Sequence, residues 1–244
     1  MGSPRSAASL ADAFSRTATL TPAEREALAG LEVRKRLVRR GGALRREREC
    51  PGELYVLLRG MMMSFVLLDD GSRQILRFHF PPDVVGLSGA IYHDSPETLC
   101  AVTETVAAVI DRAAFAGLLE AHPRLAALLM ATLHAERVGI TDRLAAIGRC
   151  SAKVRLSALL VELAEKLGSG GNSFVLPLTQ EELGDAIGLT AVHVNRMLRQ
   201  LEVQGLIVRD GNRVTLSDVA ALQRGSGYVD RLAGLDLDWL PQGR

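Results

Sequence analysis

The stretch 179–213 contains the pattern that most restricts how this chain can fold. Thr179 and Glu182 have the three-residue spacing of a capping box, which predicts the start of a short helix. Gly188 lies where the chain must turn sharply, and Thr190 can cap a second helix directly after it. A strand–turn–strand pattern around Asp210-Gly211-Asn212 follows. Two short helices joined by a tight turn and followed by a hairpin form a winged helix-turn-helix, which places a helix in the major groove of DNA. The alternative is an ordinary helical hairpin, which the succession of cap, turn, helix and wing disfavours.

The second helix of this motif, 190–204, has two different faces. Val194, Met197, Leu198 and Leu201 recur at helical spacing and form its buried side. The other side presents mostly hydrogen-bonding side chains, as a recognition helix requires, together with one valine. Its members are Val192, His193, Asn195, Arg196 and Arg199.

The N-terminal half has a different pattern, of short β-rich runs separated by turns. A helix is predicted to start at Thr21-Pro22, and the β pattern begins near Leu31. Asp69-Asp70-Gly71 is a hairpin signal. Short strands at near-regular spacing predict an antiparallel β-roll or barrel. The runs are Glu53–Leu58, Met61–Leu68, Gln74–Phe80 and Cys100–Ile110.

A long helix is predicted from His122-Pro123 to about Ile147, after a short one over Ala113–Leu119. One row of its residues, Ala126, Leu133, Ile140 and Ile147, recurs every seven positions, and so does a second, partly charged row, Leu129, Glu136 and Arg143. We favour a seam between two chains, with Glu136 and Arg143 at its margin or paired, because a helix-turn-helix reads DNA best as a symmetric pair. A single long helix packed on its own β domain is the alternative.

The remaining segments complete an α+β chain. A hinge at 148–151, a helix over Ala152–Leu167, a strand over Phe174–Leu176 and a helix over Val219–Leu232 are predicted. The expected organisation is a β-roll sensor domain (1–120), a dimerisation helix with its hinge (121–150), a winged helix-turn-helix (151–225) and a C-terminal tail (226–244).

Composition narrows the function classes. The net charge of +1 hides a basic run near the N-terminus, which we interpret as solvated strand edges rather than a second nucleic-acid surface. Three cysteines stand far apart, in no zinc or iron–sulfur pattern, which together with the absence of a signal peptide favours the cytoplasm. No apolar run approaches the roughly 20 residues that span a membrane, so no membrane partner is expected.

No nucleophile elbow, Walker loop, metalloprotease or dinucleotide motif occurs, so the chain is not expected to be an enzyme. The residues of the N-terminal basic run are Arg34, Lys35, Arg36, Arg39, Arg40, Arg45, Arg46 and Arg48.

The chain resembles the CRP/FNR superfamily of bacterial transcription regulators over about Gly52 to Leu216. The family combines a cyclic-nucleotide-binding-like β-roll, a long connecting helix and a winged helix-turn-helix. The matching residues are Gly52–Gly60, Asp70-Gly71, Pro82–Gly86, Leu178–Leu183, Ile187–Thr190, Val194, Arg196, Leu198, Leu201, Gly205 and Leu206-Ile207.

The sensor half departs from the cyclic-nucleotide-binding members. These carry a glutamate for the ribose just after the position of Gly86, and an arginine followed by serine or threonine for the phosphate about ten residues on. Here Leu87 and Glu97-Thr98 stand there. A carboxylate repels a phosphate and leucine cannot hold a ribose hydroxyl, so cyclic AMP or GMP is not expected.

Other effectors have weaker sequence support, and no cofactor is predicted. The N-terminal cysteine cluster of the oxygen-sensing branch is missing, because no cysteine precedes Cys50. His79 is the best candidate for a haem ligand, although an ordinary strand histidine is the favoured interpretation. Cys50 or Cys100 could act as a redox switch. A small-molecule, haem or redox sensor of the same architecture is therefore the alternative to a regulator that works without an effector.

The resemblance also implies which residues meet DNA. Thr179 and Gln180 would lie against the backbone, and 190–196 would face the base edges, with Arg196 forking onto guanine O6 and N7. Val192 replaces the family's usual glutamate and can offer apolar contact to a thymine methyl. The implied partners are double-stranded DNA carrying an inverted repeat, a second copy of the chain and RNA polymerase. Arg209 and Arg213 are further candidates for phosphate contacts, with solvated surface as the alternative. The candidate DNA-contacting residues are Thr179, Gln180, Thr190, Ala191, Val192, His193, Asn195, Arg196 and Arg199.

Overall fold

The computed structural model describes residues 8–50, 52–168 and 170–240. Its contacts divide the chain into two compact units. The first comprises the described residues up to 66, residues 76–138 and residues 231–240, and the second comprises residues 67–75 and 139–230. No helix in the described ranges is long and apolar enough to cross a membrane.

The strands of the N-terminal half form two four-stranded sheets, in the orders β1–β8–β3–β6 and β2–β7–β4–β5. Because side chains alternate along a strand, β3 serves two cores. Tyr55 and Leu57 pack between strands in one buried cluster, whereas Leu54 and Val56 belong to a second cluster formed with helices. The predicted antiparallel β-roll is confirmed. Its strands are β1 (Arg34–Val38), β2 (Ala43–Arg45), β3 (Glu53–Arg59), β4 (Met62–Leu67), β5 (Arg73–His79), β6 (Val84–Val85), β7 (Thr98–Ala101) and β8 (Thr105–Asp111).

The run Cys100–Ile110, predicted as one strand, is two. The Thr103 backbone N–H donates to the Met61 carbonyl oxygen at 3.2 Å, and the Thr105 hydroxyl donates to the same oxygen at 3.2 Å. The Thr103 hydroxyl accepts from the Met61 N–H at 2.9 Å. These bonds hold 102–104 as a turn against the turn between β3 and β4. The predicted hairpin at Asp69-Asp70-Gly71 is present between β4 and β5.

The basic run contains two kinds of arginine. Arg34 and Arg36 are exposed on β1 and pair with Glu53 at 2.8 and 3.5 Å, as expected for solvated strand edges. Arg45 is 4% exposed, so interpreting it as solvated is wrong. Its guanidinium instead donates to backbone carbonyl oxygens inside the roll.

Helices cover the outer face of the first sheet. Leu10, Leu28, Phe115 and Leu125 pack there with Leu54. The predicted helix start at Thr21 is confirmed, and a complete capping box holds it. The helices are α1 (Leu10–Ser15), α2 (Pro22–Ala29), α3 (Ser88–Ile91), α4 (Arg112–Ala121) and α5 (Pro123–Arg149).

The two predicted rows of α5 face different surroundings. Glu136 forms an ion pair with Arg77 at 2.7 Å, and Arg143 forms one with Glu162 at 2.8 Å. Both acid–base pairs lie within one chain, and the seam between two chains stays a prediction. The apolar side chains that α5 exposes are Met130 (67%), Leu133 (37%), Ile140 (50%) and Leu144 (69%). We call these four residues the α5 stripe.

Within its described residues, the second unit contains four further helices and a three-stranded sheet in the order β10–β11–β9. The helix predicted over Val219–Leu232 is wrong beyond Ser226. Gly227 adopts φ of +65° and its N–H bonds to the Gln223 carbonyl oxygen, which ends the helix. The elements are α6 (Ala152–Leu167), β9 (Ser173–Val175), α7 (Gln180–Ile187), α8 (Ala191–Val203), β10 (Ile207–Asp210), β11 (Arg213–Leu216) and α9 (Val219–Ser226).

Candidate nucleic-acid interface

The first helix of the motif, α7, begins with the capping box that the sequence predicts. The Thr179 hydroxyl accepts from the Glu182 N–H at 3.1 Å, and the Glu182 carboxylate accepts from the Thr179 N–H at 2.7 Å. The backbone N–H groups of Gln180 and Glu181 are at the first two helical positions, where no intrahelical acceptor exists. Thr179, Gln180 and Glu181 are all exposed. The backbone N–H groups of this helix end can therefore donate to an anion, whereas the Glu181 carboxylate cannot bind one.

The turn between α7 and α8 depends on two glycines. Gly188 adopts φ of +66°, as predicted for a residue that must reverse the chain. Gly184 was missed: a Cβ there would lie 2.3 Å from the Leu189 carbonyl oxygen, and the Leu189 N–H bonds to the Gly184 carbonyl oxygen at 3.0 Å. The available signal was an isolated glycine inside an amphipathic helix, which often marks close backbone approach.

The second helix, α8, buries its predicted apolar side and exposes the other. Val194, Met197, Leu198 and Leu201 are buried. Val192 is 83% exposed, so its methyl groups are available to a partner. Of the remaining predicted residues, Thr190, Arg196 and Arg199 are exposed, and Ala191, His193 and Asn195 are half-buried. Seven of the predicted DNA-contacting residues therefore lie on one helical segment, between Thr190 and Arg199.

The side chains at the start of α8 are linked to one another. The Thr190 hydroxyl accepts from the His193 backbone N–H at 3.3 Å, which caps the helix. The Arg196 Nη2 group lies 2.9 Å from His193 Nε2. A guanidinium has only donors, so Arg196 donates and the ring nitrogen accepts.

The wing arginines have protein partners. Arg209 binds Glu202 through two hydrogen bonds, of 2.9 and 2.7 Å. These bonds lower the pKa of Glu202, burial opposes that shift, and the charges of Arg209 and Arg199 lower the pKa further. Arg213 is exposed and its guanidinium lies 3.5 Å from the Ser173 hydroxyl. Arg213 is therefore the more accessible of the two to a phosphate.

The β-roll does not provide the polar groups that a cyclic nucleotide needs. Leu87 packs on the hydrophobic cluster beneath the helices. Glu97 accepts from the Ser88 hydroxyl at 3.2 Å, and the Thr98 hydroxyl accepts from the Glu47 N–H at 3.0 Å. The carboxylate at the expected phosphate position and the internally bonded threonine do not fit an anionic ligand.

An arginine fills the space beside Gly86. Arg45 donates to the Gly86 carbonyl oxygen at 3.1 Å and to that of Glu53, and its guanidinium carbon lies 5.2 Å from the centre of the Tyr55 ring. A Cβ on Gly86 would lie 2.7 Å from Arg45 Nη2. The residues present therefore do not fit a cyclic nucleotide at this turn.

The other proposed sensing residues differ in accessibility. His79 is 7% exposed and lies near the Asp83 carboxylate, whose pKa its charge lowers. Cys50 and Cys150 are exposed and Cys100 is buried, all as free thiols. Across the ranges that the structure describes, no cluster of three or more histidine, cysteine, aspartate or glutamate side chains could hold a metal ion.

Comparisons with known proteins agree with this arrangement. Residues 35–122 match the cyclic nucleotide-binding domain family and residues 154–224 match the Crp-like helix-turn-helix domain family. The chain is similar to the nitrogen fixation regulation protein FixK of Azorhizobium caulinodans, with 33% identity over 177 residues, which is 70% of each chain. It is 26% identical over 207 residues to the transcriptional activator protein FnrA of Stutzerimonas stutzeri, covering 84% of this chain and 85% of the relative.

Solved structures support the same assignment. The structure of FixK2 from Bradyrhizobium japonicum superimposes with a TM-score of 0.73 at 28% identity, covering 78% of this chain and 96% of that one. A CRP-family transcriptional regulator from Thermus thermophilus gives 0.66 at 25% identity, covering 79% and 96%. With a winged helix-turn-helix, a β-roll and these relatives, the chain belongs to the CRP/FNR superfamily: it is a DNA-binding transcription regulator and not an enzyme.

Proposed function

We propose that this regulator binds an inverted-repeat operator as a homodimer, through the recognition helix 190–204, without a cyclic nucleotide. The observation that carries the proposal is the exposed start of α8, where Val192 and Arg196 are accessible beside a capped helix end. Such a surface offers a guanidinium for guanine and methyl groups for thymine. Its half-site therefore differs from one read by a glutamate at position 192.

Phosphate contacts would come from helix ends and a few side chains. The backbone N–H groups at the start of α7 and the exposed Thr179 and Gln180 side chains can bind one phosphate. Arg199 would contact the DNA backbone beside the recognition helix, Thr190 and Ala191 would face the base edges, and Asn195 would pair with adenine or anchor to phosphate. Arg209 is held by Glu202, so we assign the wing contact to Arg213.

The homodimer is supported by the α5 stripe. Met130, Leu133, Ile140 and Leu144 follow one another at intervals of three, seven and four residues, which is the spacing of a coiled-coil face. An inverted repeat has twofold symmetry, so the partner that packs against this stripe would be the same helix of a second copy of the chain. Two half-sites would then lie about 34 Å apart along the DNA.

The remaining assignments follow from this role. We assign residues 1–120 to a sensor-like β-roll, 121–150 to the dimerisation helix and hinge, 151–225 to the DNA-binding domain and 226–244 to a tail. A bacterial DNA-binding regulator works in the cytoplasm, and RNA polymerase is the partner through which it would act.

Selection of bound sequences from a random DNA pool by the purified protein, at a stated salt concentration, tests the proposal. We expect an inverted repeat to be recovered without any added effector. Recovery only after addition of haem, another small molecule or a thiol oxidant would favour a ligand-controlled or redox-controlled regulator instead. Recovery of no specific sequence under any of these conditions would contradict the DNA-reading assignment.

Arg196→Ala tests the recognition helix itself. Loss of a bidentate contact to guanine should weaken binding to the selected operator by about 10- to 100-fold and remove discrimination at one base pair. Arg224→Ala is the matched control, because Arg224 is an exposed arginine on α9. Equal operator affinity of wild type and Arg196→Ala in a fluorescence anisotropy titration would show that the docking assignment is wrong.

A further inference from the structure

We propose that His193 is a positioning residue that orients the Arg196 guanidinium for base reading, rather than a base-reading residue. The proposal rests on the proposed function. It follows from the hydrogen bond of 2.9 Å between Arg196 Nη2 and His193 Nε2 on the exposed side of α8. The two residues are three positions apart, so their side chains are neighbours on one helical face.

The backbone of His193 is held by the cap of its own helix. The backbone N–H of His193 is the donor that the Thr190 cap binds, so the backbone of this residue is held at the end of the first turn. The side chain is half-buried, whereas Arg196 is exposed. An acceptor on a short, half-buried side chain thus binds the end of a long side chain that would otherwise sample many rotamers in solvent.

The hydrogen bond leaves Arg196 able to bind guanine. The Nη2 group carries two N–H bonds, one parallel to an N–H of Nη1 and the other parallel to that of Nε. Whichever of the two binds the histidine, a parallel pair of N–H donors remains. A parallel pair is what guanine O6 and N7 accept in the major groove.

The bond uses Nε2 of the ring as its acceptor, because a guanidinium has only donors. This nitrogen is therefore not available to accept from cytosine or adenine while the bond is present. His193 contributes to affinity by orienting Arg196 before DNA arrives, which reduces the entropy lost on binding.

The test compares two substitutions at one position. His193→Gln keeps an acceptor at a similar reach, whereas His193→Leu keeps the volume and removes the acceptor. Neither change removes the helix cap, because the Thr190 hydroxyl binds the backbone N–H. Each protein is titrated, at one salt concentration, with the operator selected by wild type and with a copy in which the guanine read by Arg196 is replaced by adenine.

We expect His193→Leu to weaken binding to the operator by about three- to tenfold, the worth of a hydrogen bond to a charged group at a solvent-accessible site. Affinity for the adenine copy should stay unchanged, so that discrimination at this one base pair falls. His193→Gln should stay within about twofold of wild type. In an Arg196→Ala background, His193→Leu should have no further effect, because its partner is already gone.

A direct contact between His193 and DNA gives a different pattern. His193→Leu would then weaken both DNAs equally, change the preference at another base pair, or lower affinity in the Arg196→Ala background, and each of these results overturns the proposal. If wild type itself does not distinguish the operator from random DNA, the proposed function fails, and the inference fails with it.

Discussion

Gly86 shows how closely one residue can be constrained by a buried side chain. It adopts φ of +80°, and the guanidinium of Arg45 lies against it. Arg45 is 4% exposed, yet its charge is accommodated by two carbonyl oxygens and the face of Tyr55. Any side chain at position 86 would displace this arginine.

Replacement of Gly86 should therefore be more harmful than replacement of another glycine with the same backbone. Gly41 has φ of +76° and nothing within 4 Å of an added Cβ, so Gly41→Ala should lower the free energy of unfolding by about 1 kcal/mol from backbone strain alone. Gly86→Ala adds crowding against Arg45 and should lower it by about 2–4 kcal/mol. Urea denaturation followed by circular dichroism measures both, and equal losses would contradict the close packing.

At the scale of elements, one buried carboxylate connects the C-terminal end of α1 with β5. Asp83 lies 2.6 Å from the Arg16 guanidinium and 3.4 Å from that of Arg77, and Arg77 also binds Glu136 on α5. Burial by itself would raise the pKa of Asp83. The charges of Arg77, His79 and Arg16, together with the Phe80 N–H, outweigh burial and lower this pKa below its ordinary value.

A lowered pKa in the folded state makes stability depend on pH. The ionised Asp83 makes its full contribution to the free energy of unfolding above the pKa of the unfolded chain, about 3.9. This contribution is lost as the pH falls through the lower pKa of the folded state. Asp83→Asn should lower the free energy of unfolding at pH 7 by about 2–3 kcal/mol, because the Arg16 and Arg77 guanidinium groups each lose an ion-pair contact with the carboxylate. The difference from wild type should shrink below pH 4.

Urea denaturation at pH 7, 5 and 3.5 checks this expectation. Asp69→Asn, at an exposed carboxylate in the β4–β5 turn, is the control and should leave the free energy of unfolding nearly unchanged at each pH. A constant difference between wild type and Asp83→Asn across the series would show that the carboxylate charge is not what stabilises these elements.

At the scale of the whole molecule, the α5 stripe decides whether two copies associate. Leu144 is 69% exposed, so Leu144→Glu should leave the folded chain intact and place a charge twice in a symmetric interface. We expect the dimer dissociation constant to rise by about 100-fold or more and operator binding to weaken with it. Ala145→Glu, at an exposed position outside the stripe, should change neither.

Sedimentation velocity over a range of protein concentrations measures the first quantity, and anisotropy with the full operator measures the second. A Leu144→Glu protein that remains dimeric would place the interface on another surface. A monomer that still binds the inverted repeat as tightly as wild type would instead show that DNA binding does not depend on dimerisation.

The sequence by itself determined the features that depend on neighbouring residues. Thr179, Glu182, Gly188 and Thr190 act over three or four positions, so the boundaries of α7 and α8 and the buried side of α8 could be predicted directly. The same local logic predicted the start of α2 and the β4–β5 turn. The choice of the candidate DNA-reading residues came from these patterns and from the family resemblance.

Only the tertiary structure decided which distant groups meet. Arg45 belongs to a run of exposed basic residues and is buried against Tyr55 and against Gly86, which lies 41 residues away in sequence. Glu136 and Arg143 keep a seven-residue spacing, but each forms an ion pair with another element of the same chain, which the spacing does not predict. The physical reason is that capping and periodicity act along one helix, whereas ion pairs and the satisfaction of buried polar groups depend on how strands and helices pack.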